Sequence, residues 1–311
     1  MRNDFKGLFI RVESSYILSY RILQSKNLKP GSATVEQYIA ERSALFNAWS
    51  TFSCPDSCER MGCKEPRLHI FISLIDLAAI SLISGRKIGE LFNKNVKIGF
   101  DPIDENEPWI GRVTLEMNKP CHFFTGKECS IYPGRPIACA LFPEYWFTVE
   151  HSGFIAKKRI FQSFPCIQKP CAISPERKAT LQQIREMHAK ETFLPDFFLF
   201  GISSFVTDLK SVAGRGLKGV PIAKNGRAHL PHDLVEKIIS QRLSEGGYLD
   251  DWKAKIRKLD QADGLEDLLR MKGWTDQMVM ASDGLSLRIA YQFDGERLLP
   301  VHLCKEASSF S

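Results

Sequence analysis

Eight of the nine cysteines in this chain of 311 residues lie between positions 54 and 171, and this clustering constrains the fold more than any other feature. They form three groups: Cys54, Cys58 and Cys63; then Cys121, Cys129 and Cys139; then Cys166 and Cys171. At about 3% of the chain, cysteine is too sparse for a disulfide scaffold. Clustered thiols in a reduced compartment more often bind metal than form disulfides. The segment therefore predicts a metal-centred fold with all eight cysteines as ligands.

The first residues indicate a cytoplasmic protein. Charged residues recur at Arg11, Glu13 and Arg21, so the N-terminus lacks the apolar core of a signal peptide. The most apolar stretch, 70–84, carries Asp76 and is too short to span a bilayer. We therefore expect no membrane segment.

The formal charge of +6 is weak evidence for nucleic-acid binding. Cysteines bind metal as thiolates, and eight thiolates with two divalent ions would reduce this charge to about +2. A basic, glycine-rich segment at 210–227 could contact a phosphate, but it lacks the ending of a P-loop. The pattern favours a solvated linker over an anion site, and nucleic acid is not expected as a partner.

The periodicity predicts an α+β, mainly helical chain with two domains, 1–173 and 174–311. The first domain is predicted as a cysteine-rich, metal-centred half with short strands, and the second as a helical half that ends in a β-hairpin. Helices are predicted from Ser32 or Thr34 to Trp49 and over 71–84, 87–95, 174–191, 195–209, 232–245, 249–258 and 261–272. In the second of these, Ser73 is the expected N-cap, with Asp76 as its partner in a variant of the capping box. A strand is predicted over 109–117, with hairpins over 145–161 and 285–303.

The first cysteine group has the residues of a short helix. Cys54 would cap it, Pro55 suits the first helical position and Cys58 follows one turn later. Gly62 suits the end of a helix, so Cys63 would follow that end. This geometry would direct three sulfurs toward one point.

The second group is folded by turns. Gly126 and the pair Pro133–Gly134 mark two of them. Pro136 can begin a helix that places Cys139 in its first turn. A positive helix end near this thiol would favour its metal-binding form.

Two neighbouring side chains are candidates for contact with the bound group. Arg135 could donate hydrogen bonds to thiolates, and Tyr132 could shield the cluster together with Phe142 and Trp146. His122, beside Cys121, is more typical of a surface residue than of a ligand. Cys304, in the last predicted strand, is interpreted as a structural thiol.

The second group also resembles a known family. Cys129-Ser130-Ile131-Tyr132, Arg135-Pro136, Cys139 and Phe142-Pro143 occur here in the order typical of the YkgJ family of cysteine-cluster proteins. The resemblance covers about 54–171 and implies a zinc- or iron-chelating domain.

Two departures from the family pattern concern single positions. Cys63 is followed by Lys64 rather than by another cysteine, and Cys139 is followed by Ala140 rather than by arginine. One ligand position is therefore open to Cys166 or Cys171. The flagellin lysine methylases are similar in their cysteines, so this resemblance also implies methyl transfer as an alternative.

The spacing of the cysteines leaves the metal open between two choices. Structural zinc sites usually contain Cys-x2-Cys pairs, and this chain has none. The wider spacings favour an iron–sulfur cluster, although zinc accepts any four thiolates that the fold brings together. We expect a metal-binding protein with a structural or electron-transfer role that meets a protein partner through its C-terminal half. The alternatives are a cluster-dependent lysine methyltransferase-like enzyme, and a metal carrier or thiol sensor.

Overall fold

The computed structural model describes residues 35–50, 58–102, 110–144, 163–167, 173–200, 207–208, 223–224, 227–228, 232–245, 247–261, 278–279, 290–293 and 298–301. Its helices are α1 (Val35–Trp49), α2 (Met61–Lys64), α3 (Leu74–Ser84), α4 (Ile88–Asn95), α5 (Ile137–Leu141), α6 (Pro175–Phe200), α7 (His232–Glu245) and α8 (Tyr248–Leu259). Its strands are β1 (Phe71–Ile72), β2 (Val96–Pro102), β3 (Ile110–Met117), β4 (Thr207–Asp208), β5 (Ala223–Lys224), β6 (Arg227–Ala228), β7 (Met278–Val279), β8 (Ala290–Phe293) and β9 (Leu298–Val301). The fold is α+β and mainly helical, as the sequence predicts.

The chain divides into two compact units. One comprises Gly31–Lys97 and Glu116–His188, and we name it the cysteine unit because it contains the six described cysteines. The second takes the described residues of 98–115 and 189–311. Both units are discontinuous along the chain, whereas the predicted domains are continuous, and the boundary at 173 stays a prediction.

Helix α1 buries one stripe of side chains in the cysteine unit. The buried positions recur at intervals of three and four residues, as an amphipathic helix requires. They are Val35, Ile39, Arg42, Phe46 and Trp49. The predicted helix is confirmed over these residues. The charged Arg42 on its buried face was not predicted.

Helix α3 begins at the predicted capping box, but Phe71 and Ile72, which we expected in this helix, form β1 instead. The Ser73 side chain accepts a hydrogen bond from the Asp76 backbone, and the Asp76 carboxylate accepts one from the Ser73 backbone. The helix ends at Gly85, whose φ of 68° is the left-handed conformation that glycine adopts readily. Helix α4 follows with Lys87 as its N-cap, in agreement with the predicted helix over 87–95.

The largest sheet has the strand order β1-β3-β2, with β4 also paired to β3. Strand β3 confirms the strand predicted over 109–117. The pair β3–β4 is antiparallel, with Ile110 opposite Asp208. At the end of β3, the fully buried Glu116 lies 2.7 Å from His69 Nδ1 and 3.3 Å from Lys97 Nζ. The Lys97 ammonium compensates the charge of the buried carboxylate, and His69 is its hydrogen-bond partner.

Helix α6 differs from its prediction. We expected a break near 191 and a new helix over 195–209, because Pro195 disfavours a continuous helix. The helix instead continues through Pro195 to Phe200, and Thr207–Asp208 is a strand. Proline removes only one intrahelical hydrogen bond, so a long helix can tolerate it.

Other predictions for the C-terminal part have mixed outcomes. Helices α7 and α8 confirm those predicted over 232–245 and 249–258. Strands β8 and β9 form an antiparallel pair at the predicted final hairpin. At the end of the basic segment 210–227, β5 and β6 form an antiparallel pair. Residues 210–222 lie outside the described residues, so the solvated linker stays a prediction. The hairpin predicted over 145–161 lies outside the described residues, as does the helix predicted over 261–272 except for Gln261, which is in a bend.

No helix in the described part of the chain combines the length and the apolar character that a bilayer crossing needs.

Candidate metal centre

The first cysteine group is arranged differently from its prediction. Cys63 lies inside α2, with Gly62 before it, rather than after the end of a helix. The backbone of Glu59 and Arg60 is left-handed, with φ of 48° and 59°, so the chain reverses just before α2. Non-glycine residues adopt this conformation only where their surroundings impose it. The turn separates Cys58 from the helix that carries Cys63.

Two hydrogen bonds join the first and second cysteine groups. The Cys121 backbone N–H donates to the Cys63 carbonyl at 3.0 Å. The Lys119 ammonium donates to the Gly62 carbonyl at 2.6 Å. Cys63 and Cys121, 58 positions apart, are therefore held side by side by their own backbones.

The loop from Cys121 to Cys129 is a tight reversal. Phe124 and Cys129 form an isolated antiparallel bridge, and the Thr125 N–H donates to the Glu128 carbonyl at 3.0 Å. Gly126 occupies this turn with φ of 95°, which agrees with its predicted role. After the turn, the Ile131 N–H donates to the Cys129 sulfur. Such a donor stabilises a thiolate.

Helix α5 places Cys139. Pro136 is its N-cap, and Cys139 is its third residue, in agreement with the prediction. Ile137 and Ala140 pack into a core with Phe46 and Trp49 of α1. Because these residues fix one face of α5, Cys139 projects from a different part of the helix surface.

The approach to α5 is too close for a side chain at position 134. A Cβ added to Gly134 would lie 2.7 Å from both the Ala79 carbonyl oxygen and Ile83 Cγ1. Real Cβ atoms essentially never approach this closely. Glycine at 134 therefore lets the Tyr132–Gly134 turn lie against α3.

A buried ion pair between α1 and α3 holds the start of α5 in place. The Arg42 guanidinium pairs with the Asp76 carboxylate, and both side chains are almost fully buried. The same carboxylate oxygen accepts the Ile137 N–H at 3.1 Å, at the start of α5. Arg42 also donates to the Arg135 carbonyl at 3.0 Å. Helices α1 and α3 thus fix the segment before Cys139.

Four thiols lie close enough to affect one another's ionisation. Burial raises the pKa of the Cys139 thiol, and Cys121, Cys63 and Cys129 raise it further, while Lys119 opposes them. Burial also raises the pKa of Cys129, with Cys121 as an additional cause. A thiol in such surroundings becomes a thiolate when a cation replaces its proton.

The spacing of these sulfurs bears on the size of the group they could hold. In the described residues, no three cysteine sulfurs lie within 4.8 Å of one another. Tetrahedral zinc with bonds of 2.3 Å would need sulfurs about 3.8 Å apart. A four-iron cubane binds each cysteine at a different iron and so accepts wider spacing. In kind, the thiol donors suit both groups, since zinc and iron–sulfur clusters both bind cysteine thiolate.

Arg135 lies close enough to Cys139 and Cys129 to interact with them electrostatically, and its predicted hydrogen bond to a thiolate stays a prediction. Its guanidinium is 3.8 Å from the centroid of the Tyr132 ring, and its Nη1 donates to the Tyr132 carbonyl at 2.7 Å. Burial lowers the pKa of Arg135, whereas Tyr132, Cys139 and Cys129 raise it. Tyr132 is 49% exposed, so its ring covers Arg135 rather than filling the space between the cysteines.

Aromatic packing brings the segment of Cys166 toward the same region. Phe142 and Phe164 form an edge-to-face pair with centroids 5.8 Å apart. A Cβ on Gly62 would lie 3.1 Å from the Phe142 ring. Phe142, three residues after Cys139, therefore lies against Gly62, next to Cys63, and against Phe164, two residues before Cys166. Cys166 itself is buried.

The remaining predicted residues have separate outcomes. Cys58 is buried, and His122 is exposed, as expected for a residue that is not a ligand. Cys54, Cys171, Cys304 and Trp146 lie outside the described residues. The six described cysteines are not joined in disulfides.

Sequence reasoning missed two residues that shape this centre. Arg42 lies 93 positions before Arg135, whose carbonyl it holds, and no local pattern links them. Lys119, whose positive charge lowers the pKa of the Cys139 thiol, lies two residues before Cys121. A lysine so close to a candidate ligand could have been recognised in the sequence as a neighbour of the thiols.

No family model, curated protein or solved structure matches this chain.

Proposed function

We propose that this protein binds a metal centre through cysteine thiolates and that Cys63, Cys121, Cys129 and Cys139 are its central ligands. The observation that carries the proposal is the meeting of three separate segments of the chain: the Cys121 N–H donates to the Cys63 carbonyl at 3.0 Å, and Cys63, Cys121 and Cys129 all lie close enough to Cys139 to raise the pKa of its thiol. Four like groups that become anionic together repel one another and stay together only around a cation.

We further propose an iron–sulfur cluster rather than zinc. The cysteine spacing in the sequence supports the larger group, because structural zinc sites usually contain Cys-x2-Cys pairs and this chain has none. The N–H donor from Ile131 to the Cys129 sulfur supports it as well, since hydrogen bonds to cysteine sulfur help to set the potential of such clusters. When bound, the cluster would supply one-electron transfer.

The proposed role is structural and electron-transferring. Four thiolates close the coordination of a four-iron cluster, so no position stays open for substrate. The metal would stabilise α2, α5 and the loop between Cys121 and Cys129 by joining them through its ligands. Cys54, Cys58, Cys166 and Cys171 are proposed as ligands of a second site or as replacements in the first.

The resemblance to the YkgJ family supports this proposal independently of the geometry. It rests on Cys129–Tyr132, Arg135–Pro136, Cys139 and Phe142–Pro143. We propose a metal-centred N-terminal half with short strands and a helical C-terminal half that meets a protein partner. The proposed compartment is the cytoplasm, where thiols stay reduced.

Serine substitutions test the ligand set. Cys63→Ser, Cys121→Ser, Cys129→Ser and Cys139→Ser should each lower the metal content of anaerobically purified protein, because serine is a poor ligand for soft metals. Cys304→Ser is the matched control and should keep the metal content of the wild type. Full metal content in the four variants would refute the ligand assignment.

A further inference from the structure

The side chain of Arg135 contains a buried hydrogen-bond donor with no partner in the described part of the chain. Arg135 is only 4% exposed, and its Nη2 atom has no hydrogen-bond partner among the described residues. An unsatisfied buried donor costs about 1 to 3 kcal/mol, and more when it is charged. A donor left in this state calls for a partner that the polypeptide does not supply.

The rest of the guanidinium is fixed in place. Nη1 donates to the Tyr132 carbonyl at 2.7 Å, and the Tyr132 ring lies 3.8 Å from the guanidinium carbon. The Phe46 ring lies 5.5 Å away. Arg42 donates a hydrogen bond to the backbone carbonyl of Arg135. These contacts leave the group little freedom to turn Nη2 toward solvent.

The negative charge nearest to Arg135 would come from the cysteines. Cys129 and Cys139 both interact electrostatically with the guanidinium, and the Asp76 carboxylate is already occupied by Arg42. Arginine forms its strongest hydrogen bonds with anions. Sulfur bound to metal carries that negative charge.

We propose that Arg135 is a positioning residue of the metal centre and that its Nη2 donates a hydrogen bond to a sulfur at the Cys129–Cys139 edge. This rests on the proposed function. The hydrogen bond orients the ligand sulfur and compensates its charge. Removal of such an outer partner typically weakens metal binding by about 10- to 100-fold. Loss of a cation beside an iron–sulfur cluster also disfavours the reduced form, which carries one more electron.

Matched variants of two arginines test the proposal. Arg135→Gln and Arg135→Lys are compared with Arg177→Gln and Arg177→Lys. Arg177 is also an arginine beside an aromatic ring, 4.8 Å from Trp49, and it pairs with Glu144 rather than with thiols. Each protein is reconstituted anaerobically with ferrous iron and sulfide, and separately with zinc. Metal affinity is measured by chelator competition, and the reduction potential by equilibrium titration.

The expected result is a 10- to 100-fold weaker metal affinity for Arg135→Gln, with a more negative potential in the iron–sulfur form. Arg135→Lys keeps the charge but lacks the fork of donors, so it should lose less affinity. Both Arg177 variants should match the wild type in affinity and potential. The unfolding midpoint of the apoprotein should change alike in the Arg135→Lys and Arg177→Lys proteins.

Three results would overturn the proposal. Wild-type affinity and potential in Arg135→Gln would do so while leaving the metal site intact. Equal losses in the Arg135 and Arg177 variants would indicate a general effect of removing an arginine. If Arg135→Gln does not fold, wild-type affinity and potential in Arg135→Lys decide against it. A wild-type protein that binds neither iron–sulfur nor zinc would refute the proposed function as well.

Discussion

Removal of the Asp76 carboxylate should be more damaging than removal of its partner Arg42. Asp76 accepts hydrogen bonds from Arg42, from the Ser73 N–H at 2.9 Å and from the Ile137 N–H at 3.1 Å. Asp76→Ala leaves the Arg42 cation buried without its counter-ion, which costs about 3 to 5 kcal/mol. It also leaves two backbone donors unpaired and breaks the capping box, so we expect the upper end of this range.

Arg42→Met should cost less for a structural reason. The Asp76 carboxylate keeps its two backbone donors, and the methionine side chain retains contact with Phe46, which now lies 4.6 Å from the guanidinium. The carboxylate loses its counter-ion, but these two donors keep the cost near the lower end of about 3 to 5 kcal/mol. Asp76→Ala should therefore exceed Arg42→Met by about 2 kcal/mol.

Peptide-resolved hydrogen–deuterium exchange is the appropriate assay, because it reports local opening of α3 and α5 separately from the rest of the chain. Glu90→Ala, at a half-exposed carboxylate of α4, is the control and should change exchange very little. Equal costs for the Asp76 and Arg42 variants, or a cost below about 1 kcal/mol for Asp76→Ala, would refute this reasoning.

Four further substitutions should have graded effects on the free energy of unfolding, measured by urea denaturation. Gly134→Ala should cost about 3 kcal/mol, because the new Cβ meets the fixed Ala79 carbonyl, whereas Gly85→Ala, with open space around it, should cost about 1 kcal/mol. Phe142→Ala should cost about 2 kcal/mol and weaken metal binding through the lost ring contact, and an unchanged affinity would contradict this. Ser73→Ala should cost about 1 kcal/mol through loss of the N-cap, and no change would argue against the capping box.

Local signals in the sequence predicted the helix starts of the cysteine unit well. The capping box at Ser73 and the proline before α5 depend on residues within one turn, so they can be recognised without tertiary information. Gly126 was identified as a turn for the same reason, and its φ of 95° agrees. Clustering of cysteines then identified which segments to expect together.

The parts that sequence reasoning missed depend on distant contacts. Arg42 occupies a position of the buried stripe of α1 where an apolar residue would be expected, and its partner Asp76 is 34 positions away. The left-handed backbone at Glu59 and Arg60 is imposed by the surroundings, since neither residue favours it. Helix α6 continues through Pro195, although proline has a low helix propensity. Propensity is only a weak guide here, because tertiary contacts override it.

The metal and sulfide content of protein purified without oxygen is the decisive measurement for the proposed iron–sulfur cluster. We expect iron with a similar amount of acid-labile sulfide, and a broad absorption band near 400 nm (about where sulfide-to-iron charge transfer falls). Cys139→Ser should lose the iron, the sulfide and the band. A colourless protein with stoichiometric zinc would contradict the iron–sulfur assignment and keep the thiolate site. A stably folded protein with neither metal, and with the melting temperature of Cys139→Ser unchanged, would contradict the account as a whole.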